Sequence, residues 1–347
     1  MSALRKQVSS RFLARFAKGA GVSACAALAI AGFSAVSQAE DYPEMSLKFG
    51  HQYNETHPLA LGAVRFADIV KEKSGGKITV QVFPNSTIGN AKKLLEAMQI
   101  NVVDLALAPT TNVANFYEPL NIYYLPFLFR DRFHAYAVSD GMVGKELNEG
   151  LLKKTGFRTI GMYESGFRTI TTRDKKISMP DDMKGVKFRV VGNPLNVATF
   201  KALGANVTTM ALSEVFTALQ QGTVDGQDNP IGNVKAFGFD KVQKNITLSN
   251  HQWAGIMFLA NDRKFSKYPK NVQDLLLSAA KETEKWERDE INKVEAKYLA
   301  EMEAGGMTVT RLTPAQSKAF QDKMSAVWEE YTPKIGADLV KAAVDTK

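Results

Sequence analysis

Ala97-Met-Gln-Ile-Asn-Val-Val-Asp104 and Ala218-Leu-Gln-Gln-Gly-Thr-Val-Asp225 are the two stretches on which the fold of this chain turns. They echo one another at an offset of 121 residues, and at that same offset Pro109 meets Pro230 and Asn112 meets Asn233. Each reads as a helix that ends in a turn, followed by an Asp-led strand that Pro terminates. Any helix-turn-strand unit produces some echo of this kind, which is the plainer reading. The stronger one is a duplicated α/β unit, with two similar domains offering the ends of their strands at a cleft, where ligands of open α/β sheets bind.

The flanking sequence alternates in the same way. Leu47, Phe49 and His51 begin a strand. Leu61, Val64, Ile69 and Val70 mark a helix over Leu59 to Ser74 that Gly75-Gly76 stops, and Ile78, Val80 and Val82 alternate as a second strand. Leu94 to Ile100 is helical and Val102 to Ala108 is an apolar strand. This βαβαβ order predicts a mostly parallel sheet covered by helices. Asn271 to Ala304 has no internal Gly or Pro and ends at Gly305-Gly306. As one helix it would be about 50 Å long, so it must cross both domains or project from them. Thr313-Pro-Ala-Gln316 has the form of a capping box and opens a last helix that carries Phe320 and Trp328.

The composition of the 347 residues, 45% apolar and 10% aromatic, excludes a disordered or collagen-like chain. Its 44 basic and 36 acidic residues give a net charge of +8. Arg5, Lys6, Arg11, Arg15 and Lys18 precede the uncharged run from Gly19 to Val36 and then Ser37-Gln38-Ala39. This reads as a secretory signal peptide over residues 1–39, cut before Glu40, with a retained anchor or a lipidated Cys25 as alternatives. Cleavage removes five basic residues and the only cysteine, lowering the balance from +8 to +3. The expected product is a soluble exported protein without disulfides, periplasmic in a bacterium. Enzyme signatures are scarce: there is no Gly-x-Ser-x-Gly, phosphate loop or His-Glu-x-x-His, and His51, His57, His134 and His251 lack metal-ligand spacing. Neither a metal nor a cofactor is expected. Basic residues interleave with acidic ones, so no nucleic-acid footprint is present.

Candidates for anion recognition cluster between Gly166 and Pro230. In Gly185-Val-Lys-Phe-Arg-Val-Val191, Val186, Phe188 and Val190 alternate on one strand face, which places Arg189 on the other. Arg189 is either a solvated residue or one whose planar fork grips a carboxylate. Gly166-Phe-Arg168-Thr sets a second Arg on a β-like segment, and Asp228-Asn229-Pro230 ends the second repeat with an amide that can face a ligand oxygen.

At these residues the chain resembles the dicarboxylate-type solute-binding subunits of tripartite ATP-independent periplasmic (TRAP) transporters. The resemblance rests on Phe83-Pro-Asn-Ser86, Leu125-Pro-Phe127, Gly166-Phe-Arg168, Met183-Lys-Gly-Val-Lys-Phe-Arg189-Val, Ala211-Leu-Ser-Glu-Val-Phe216-Thr-Ala-Leu-Gln220, Val224-Asp-Gly-Gln-Asp-Asn229-Pro230 and Ser249-Asn-His251. It implies a two-domain α/β periplasmic binding protein of Venus-flytrap type, with a long helix spanning both domains. Residues 40–165 with about 254–290 would form the first domain, and 166–253 with about 291–347 the second. It implies that Arg189 pairs with a ligand carboxylate, aided by Arg168 and Asn229. Gln52 and Asn54 would line the cleft from the first domain and Phe216, with Trp253, would supply apolar walls.

The implied function is capture of a small organic acid, a C4-dicarboxylate or a sugar acid, by a monomer that closes on it and delivers it to TRAP membrane subunits. Sialic acid is disfavoured, because Pro109 and Asn112 stand where its binders carry Glu and Arg. The alternatives are a periplasmic lyase or hydrolase, or a sensor subunit, using the same cleft.

Overall fold

The computed structural model describes residues 41–347. The signal segment, Cys25 and the cut after Ala39 lie outside the described residues. In chain order the strands are β1 (Met45–Gly50), β2 (Ile78–Phe83), β3 (Leu105–Pro109), β4 (Phe157–Thr172), β5 (Lys187–Val190), β6 (Asn206–Thr209), β7 (Gly226–Pro230), β8 (Asn245–Leu248), β9 (Trp253–Asn261) and β10 (Thr308–Arg311). The helices up to β7 are α1 (Pro58–Lys73), α2 (Ala91–Gln99), α3 (Thr110–Val113), α4 (Arg132–Asp140), α5 (Met142–Thr155), α6 (Pro194–Ala202) and α7 (Leu212–Gln221). After β7 come α8 (Ile231–Ala236), α9 (Asp262–Phe265), α10 (Lys270–Ala304), α11 (Pro314–Asp322), α12 (Ser325–Ile335) and α13 (Ala337–Asp345).

The strand order β2-β1-β3-β9-β4-β7-β5-β6 reads alike from either end once β1, β2, β3 and β9 are exchanged for β5, β6, β7 and β4. On each side the outer three strands are parallel, and the strand of the sequence repeat pairs antiparallel with a long central one, β3 with β9 and β7 with β4. The sheet is therefore mixed rather than mostly parallel, because the two connecting strands run against both outer sets. The repeat itself has a structural cause. Asp104 accepts the Lys48 N–H at 2.7 Å, and Asp225 accepts the Lys187 N–H at 3.0 Å. Each Asp returns its own N–H to the carbonyl of the same Lys. The carboxylate thus fixes where the β1–β3 and β5–β7 pairs begin. It also shortens β3 relative to the sequence expectation: Val102 is an exposed turn residue, and the strand starts only at Leu105.

Phe49 on β1 stacks on Phe258 of β9 at 4.7 Å, with Phe66 of α1 edge-on to both, and this nucleus continues through Leu276 and Ala279 of α10. On the other side of the sheet a larger core joins β3, β4 and β5 to the C-terminal helices through Trp253, Phe188, Phe200 and Tyr331. Helix α10 packs on α1, which follows β1, on the central strand β4, and on α8, which follows β7, so it touches elements from both halves of the strand order. The expected last helix is in fact three. The Thr313–Gln316 box caps only α11, which ends at Asp322, so Phe320 lies on α11 and Trp328 on α12.

His57 caps α1, its Nδ1 accepting the Leu59 N–H at 3.1 Å, and both it and His51 are buried. Burial depresses the two rings, His51 to about 4 and His57 to about 3. Both are neutral in the fold, so the stability they contribute is fully present above the unfolded value near 6.5 and is lost as pH falls toward 4 and 3. At pH 4.5 the loss at His57 should reach about 2–3 kcal/mol. His57→Asn keeps a capping side chain and removes the titration. Urea unfolding between pH 7 and 4.5 should show a shallower acid loss in the variant, and equal slopes would refute the assignment.

Candidate ligand-binding site

A cavity of about 230 Å³ opens where the carboxyl ends of β1, β3, β5 and β7 converge. The loop after β1 contributes Gln52 and Tyr53, the start of α2 Asn90 and Lys92, and the residues after β3 Thr111, Asn112 and Asn115. Opposite them stand Arg168 of β4, Arg189 of β5, Asn229 of β7 and Asn233 of α8. The repeat echo thus places Asn112 and Asn233, one from each half, on the same cavity.

The two arginines have different surroundings. Phe188 and Val190 are in the core, and strand alternation turns Arg189 the other way, where its residue is still only 2% exposed. Its Nε and Nη2 donate to the Met210 carbonyl at 3.2 and 2.7 Å. No carboxylate among the described residues forms an ion pair with it. Burial pulls its pKa down to about 10, with Asp228 opposing and Arg168 reinforcing the shift. At neutral pH Arg189 is a buried cation held by one carbonyl, an arrangement that costs free energy until an anion joins it.

Arg168 has its counter-charge inside the protein. Its Nε donates to the Asp228 carboxylate, Nη2 to the Asp228 carbonyl, and Nη1 to the Tyr124 hydroxyl at 3.2 Å. Burial works against the charge on Arg168 but is outweighed by Asp228 and Tyr124, which raise its pKa. Burial likewise opposes ionisation of Asp228, yet Arg168 and His251 hold its carboxyl well below the usual range. His251 lies 3.4 Å from Asp228 and 2.8 Å from Ser249, and burial lowers its pKa.

A chain of amides continues the wall. Ser165 donates to Asn233 at 3.2 Å, Asn233 to Asn229 at 2.8 Å, Asn229 to Gln227, and Gln227 to Thr171 at 2.8 Å. Other bonds tie the two sides across the cavity. Asn115 donates to the Gly192 carbonyl at 2.8 Å, and Asn193 to the Thr111 carbonyl at 3.1 Å and to Asn121 at 2.9 Å.

Of the six residues proposed from the sequence, Arg189, Arg168, Asn229 and Gln52 line this cavity, while Asn54 and Phe216 do not. Asn54 donates instead to the Ala236 carbonyl at the end of α8 and accepts from Thr56. Phe216 packs among partly buried residues around α7 and Gly238, because α7 turns Leu212, Val215 and Leu219 inward instead. Trp253 is wholly buried, its Nε1 donating to Glu164 at 2.7 Å. The pattern did not reveal Asp228, Tyr124 or the Met210 carbonyl as partners of the arginines, nor Asn90 and Lys92 as cavity residues. Asp228 sits beside Asn229 in the motif, but its role follows from the β4–β7 register, which sets it opposite Ile170.

Residues 49–334 match the bacterial extracellular solute-binding protein, family 7. The chain belongs to this family. It is 33% identical over 319 residues to the 2,3-diketo-L-gulonate-binding periplasmic protein YiaO of Escherichia coli, covering 91% of this chain and 96% of that one. A TRAP periplasmic solute binding protein from Sulfurospirillum deleyianum with bound succinate superposes with a TM-score of 0.84 at 34% identity, covering 88% of this chain and 100% of that one. The sugar acid binding protein DctPAm from Advenella mimigardefordensis, in complex with galactonate, gives 0.86 at 29% identity, covering 88% and 98%. The family and these neighbours are solute-binding proteins rather than enzymes, and the neighbours have the two-domain architecture of TRAP periplasmic binding proteins.

The contrast between the arginines is measurable without a ligand. Arg189→Met removes an unpaired buried charge and should stabilise the ligand-free protein by about 1–3 kcal/mol, whereas Arg168→Met strands Asp228 and should cost about 3–5 kcal/mol. Denaturant melts of both variants check this, and destabilisation of equal size would contradict the charge assignment.

Proposed function

We propose that the chain is the exported receptor of a TRAP transporter and that it captures a hydroxylated organic acid of the sugar-acid type. The supporting observation is Arg189, a buried guanidinium without a carboxylate partner in a cavity otherwise rich in amides and hydroxyls. The Met210 carbonyl uses the Nε–Nη2 edge of Arg189, which leaves the Nη1–Nη2 edge for a ligand carboxylate to meet with two parallel bonds. Hydroxyls would then bond Gln52, Asn90, Asn112 and Asn233. Arg168, neutralised by Asp228, offers an oriented donor rather than net charge.

Lys92, a third cation on the cavity wall, favours a second reading in which a C4-dicarboxylate places its distal carboxylate there. Neighbours of this chain are described with galactonate, D-erythronate and succinate, so both ligand classes occur among similar folds.

Capture proceeds by closure. Residues 40–165 with about 254–290, and 166–253 with about 291–347, act as the two domains, and β4, β9 and α10 connect them. Contacts such as Asn193 to Thr111 form only when the cleft is shut, and exclusion of water strengthens the Arg–carboxylate attraction. The closed monomer, delivered to the periplasm by its leader, then presents the acid to the membrane subunits.

Thermal shift and calorimetry with galactonate, D-erythronate, glucuronate and succinate test the reading. At 100-fold above Kd, the bound acid should add about 2.7 kcal/mol of stability and be recovered unchanged. Arg189→Ala should weaken binding by about 100-fold or more. Turnover of the acid would make the protein an enzyme, and full affinity in Arg189→Ala would remove the anchor. Lys92→Gln should weaken succinate alone if the dicarboxylate reading holds.

A further inference from the structure

Strand β4 is 16 residues long and belongs to both sets of strands. One edge pairs with β9 up to Phe167 and with β8 from Ile170, but its other edge acquires a strand partner, β7, only from Arg168 onward. Between Ile160 and Gly166 that edge has no strand beside it. Side chains of α10 take the place of one. Glu284 accepts the Met162 N–H at 2.8 Å, Arg288 donates to the Met162 carbonyl at 3.1 and 2.6 Å, and Glu287 accepts the Glu164 N–H at 3.1 Å. Positions 284, 287 and 288 share one helix face by their spacing.

The register of β4 against β9 breaks between Glu164 and Phe167, and Gly166 within the break has φ +99°. That φ is one L side chains rarely adopt, and a Cβ there would also displace the Glu295 carboxylate of α10, so the position favours glycine. Glu164 is fully buried and its carboxylate gathers three groups at this break. Arg132 of α4 bonds it at 3.2 Å while also pairing with Glu295; Tyr136 and Trp253, the first residue of β9, bond it as well. Burial first, and then the Glu164 carboxylate, push the Glu287 carboxyl well above its usual range and favour its neutral form. The next residue, Ser165, faces the other way, lines the cavity and bonds Asn233. All three connections between the halves, β4, β9 and α10, therefore meet at Glu164, one residue from the ligand wall.

We infer that Glu164 is a positioning residue for ligand capture, the point at which Arg132, Glu295 and Trp253 lock β4, β9 and α10 into the closed arrangement. This rests on the reading of the cavity as one that closes on its ligand. The carboxylate touches no ligand, and it sets how far the halves prefer the shut state. Loss of that preference lowers apparent affinity in proportion to the fraction of competent molecules, and it does so through release rather than encounter.

The test uses Glu164→Gln, which keeps the size and one acceptor oxygen but removes the charge that Arg132 needs. Nitroxide labels at Ile100→Cys and Lys201→Cys, in a Cys25→Ser background, report the separation of the two halves by pulsed electron resonance. The open fraction should rise at least about fivefold, in the absence of acid or at saturating galactonate, with galactonate leaving about 10-fold faster at an almost unchanged association rate. Arg132→Gln should act in the same direction and serves if Glu164→Gln does not fold. Distance distributions identical to the parent, with and without acid, would overturn the inference even if the melting temperature falls. If the parent binds none of the acids, the reading of the ligand fails, while the ligand-free distances still decide the role of Glu164.

Discussion

A buried guanidinium that meets no carboxylate among the described residues is the constraint around which this molecule is arranged. Arg189 is turned from the core by the alternation of Phe188 and Val190 and is held by a single backbone carbonyl. In a low-dielectric cavity such a charge attracts an anion far more strongly than it would at a surface. The neighbouring Arg168 shows the opposite solution. Asp228 and Tyr124 satisfy it within the protein, so it lends shape and donors to the wall without demanding a second anion.

The repeat shows why only one half carries an arginine at this position of its strand. Asp104 and Asp225 hold Lys48 and Lys187 in equivalent positions, so Lys48-Phe49-Gly50 on β1 answers Lys187-Phe188-Arg189 on β5. Phe49 and Phe188 are both core residues. The next position diverges: Gly50 lies where any side chain would strike Leu94 and Ile88, while Arg189 reaches the cavity. The two halves thus share one plan and differ at this position, with an arginine facing the cavity from β5 and a glycine in its place on β1.

The proposed closure needs a joint, and the candidate for it lies where β4 loses register with β9 and borrows the side chains of α10 as a substitute strand. Burying three glutamates, Glu164, Glu284 and Glu287, in one region would be costly without Arg132, Arg288 and the backbone N–H groups that receive them. Such polar packing also has directional bonds that can be made in one arrangement and lost in another, unlike an apolar contact that tolerates sliding.

Much of this was legible in the chain itself. Local pattern alone predicts the duplicated helix-turn-strand unit, the long helix of α10, the capping box at Thr313 and the exposure of Arg189 to the face away from the core, because each depends on neighbours within a few residues. The same locality explains the errors. Val102 carries a strand's side chain but sits in a turn, since Asp104 is spent on the Lys48 backbone 56 residues away. Asn54 and Phe216 have the chemistry of ligand contacts and are placed elsewhere by α8 and by the inward face of α7. Which arginine is paired and which is free could not be read from order in the chain. The β4–β7 register, which brings Asp228 to Arg168 and leaves Arg189 facing only a carbonyl, exists solely in the folded sheet.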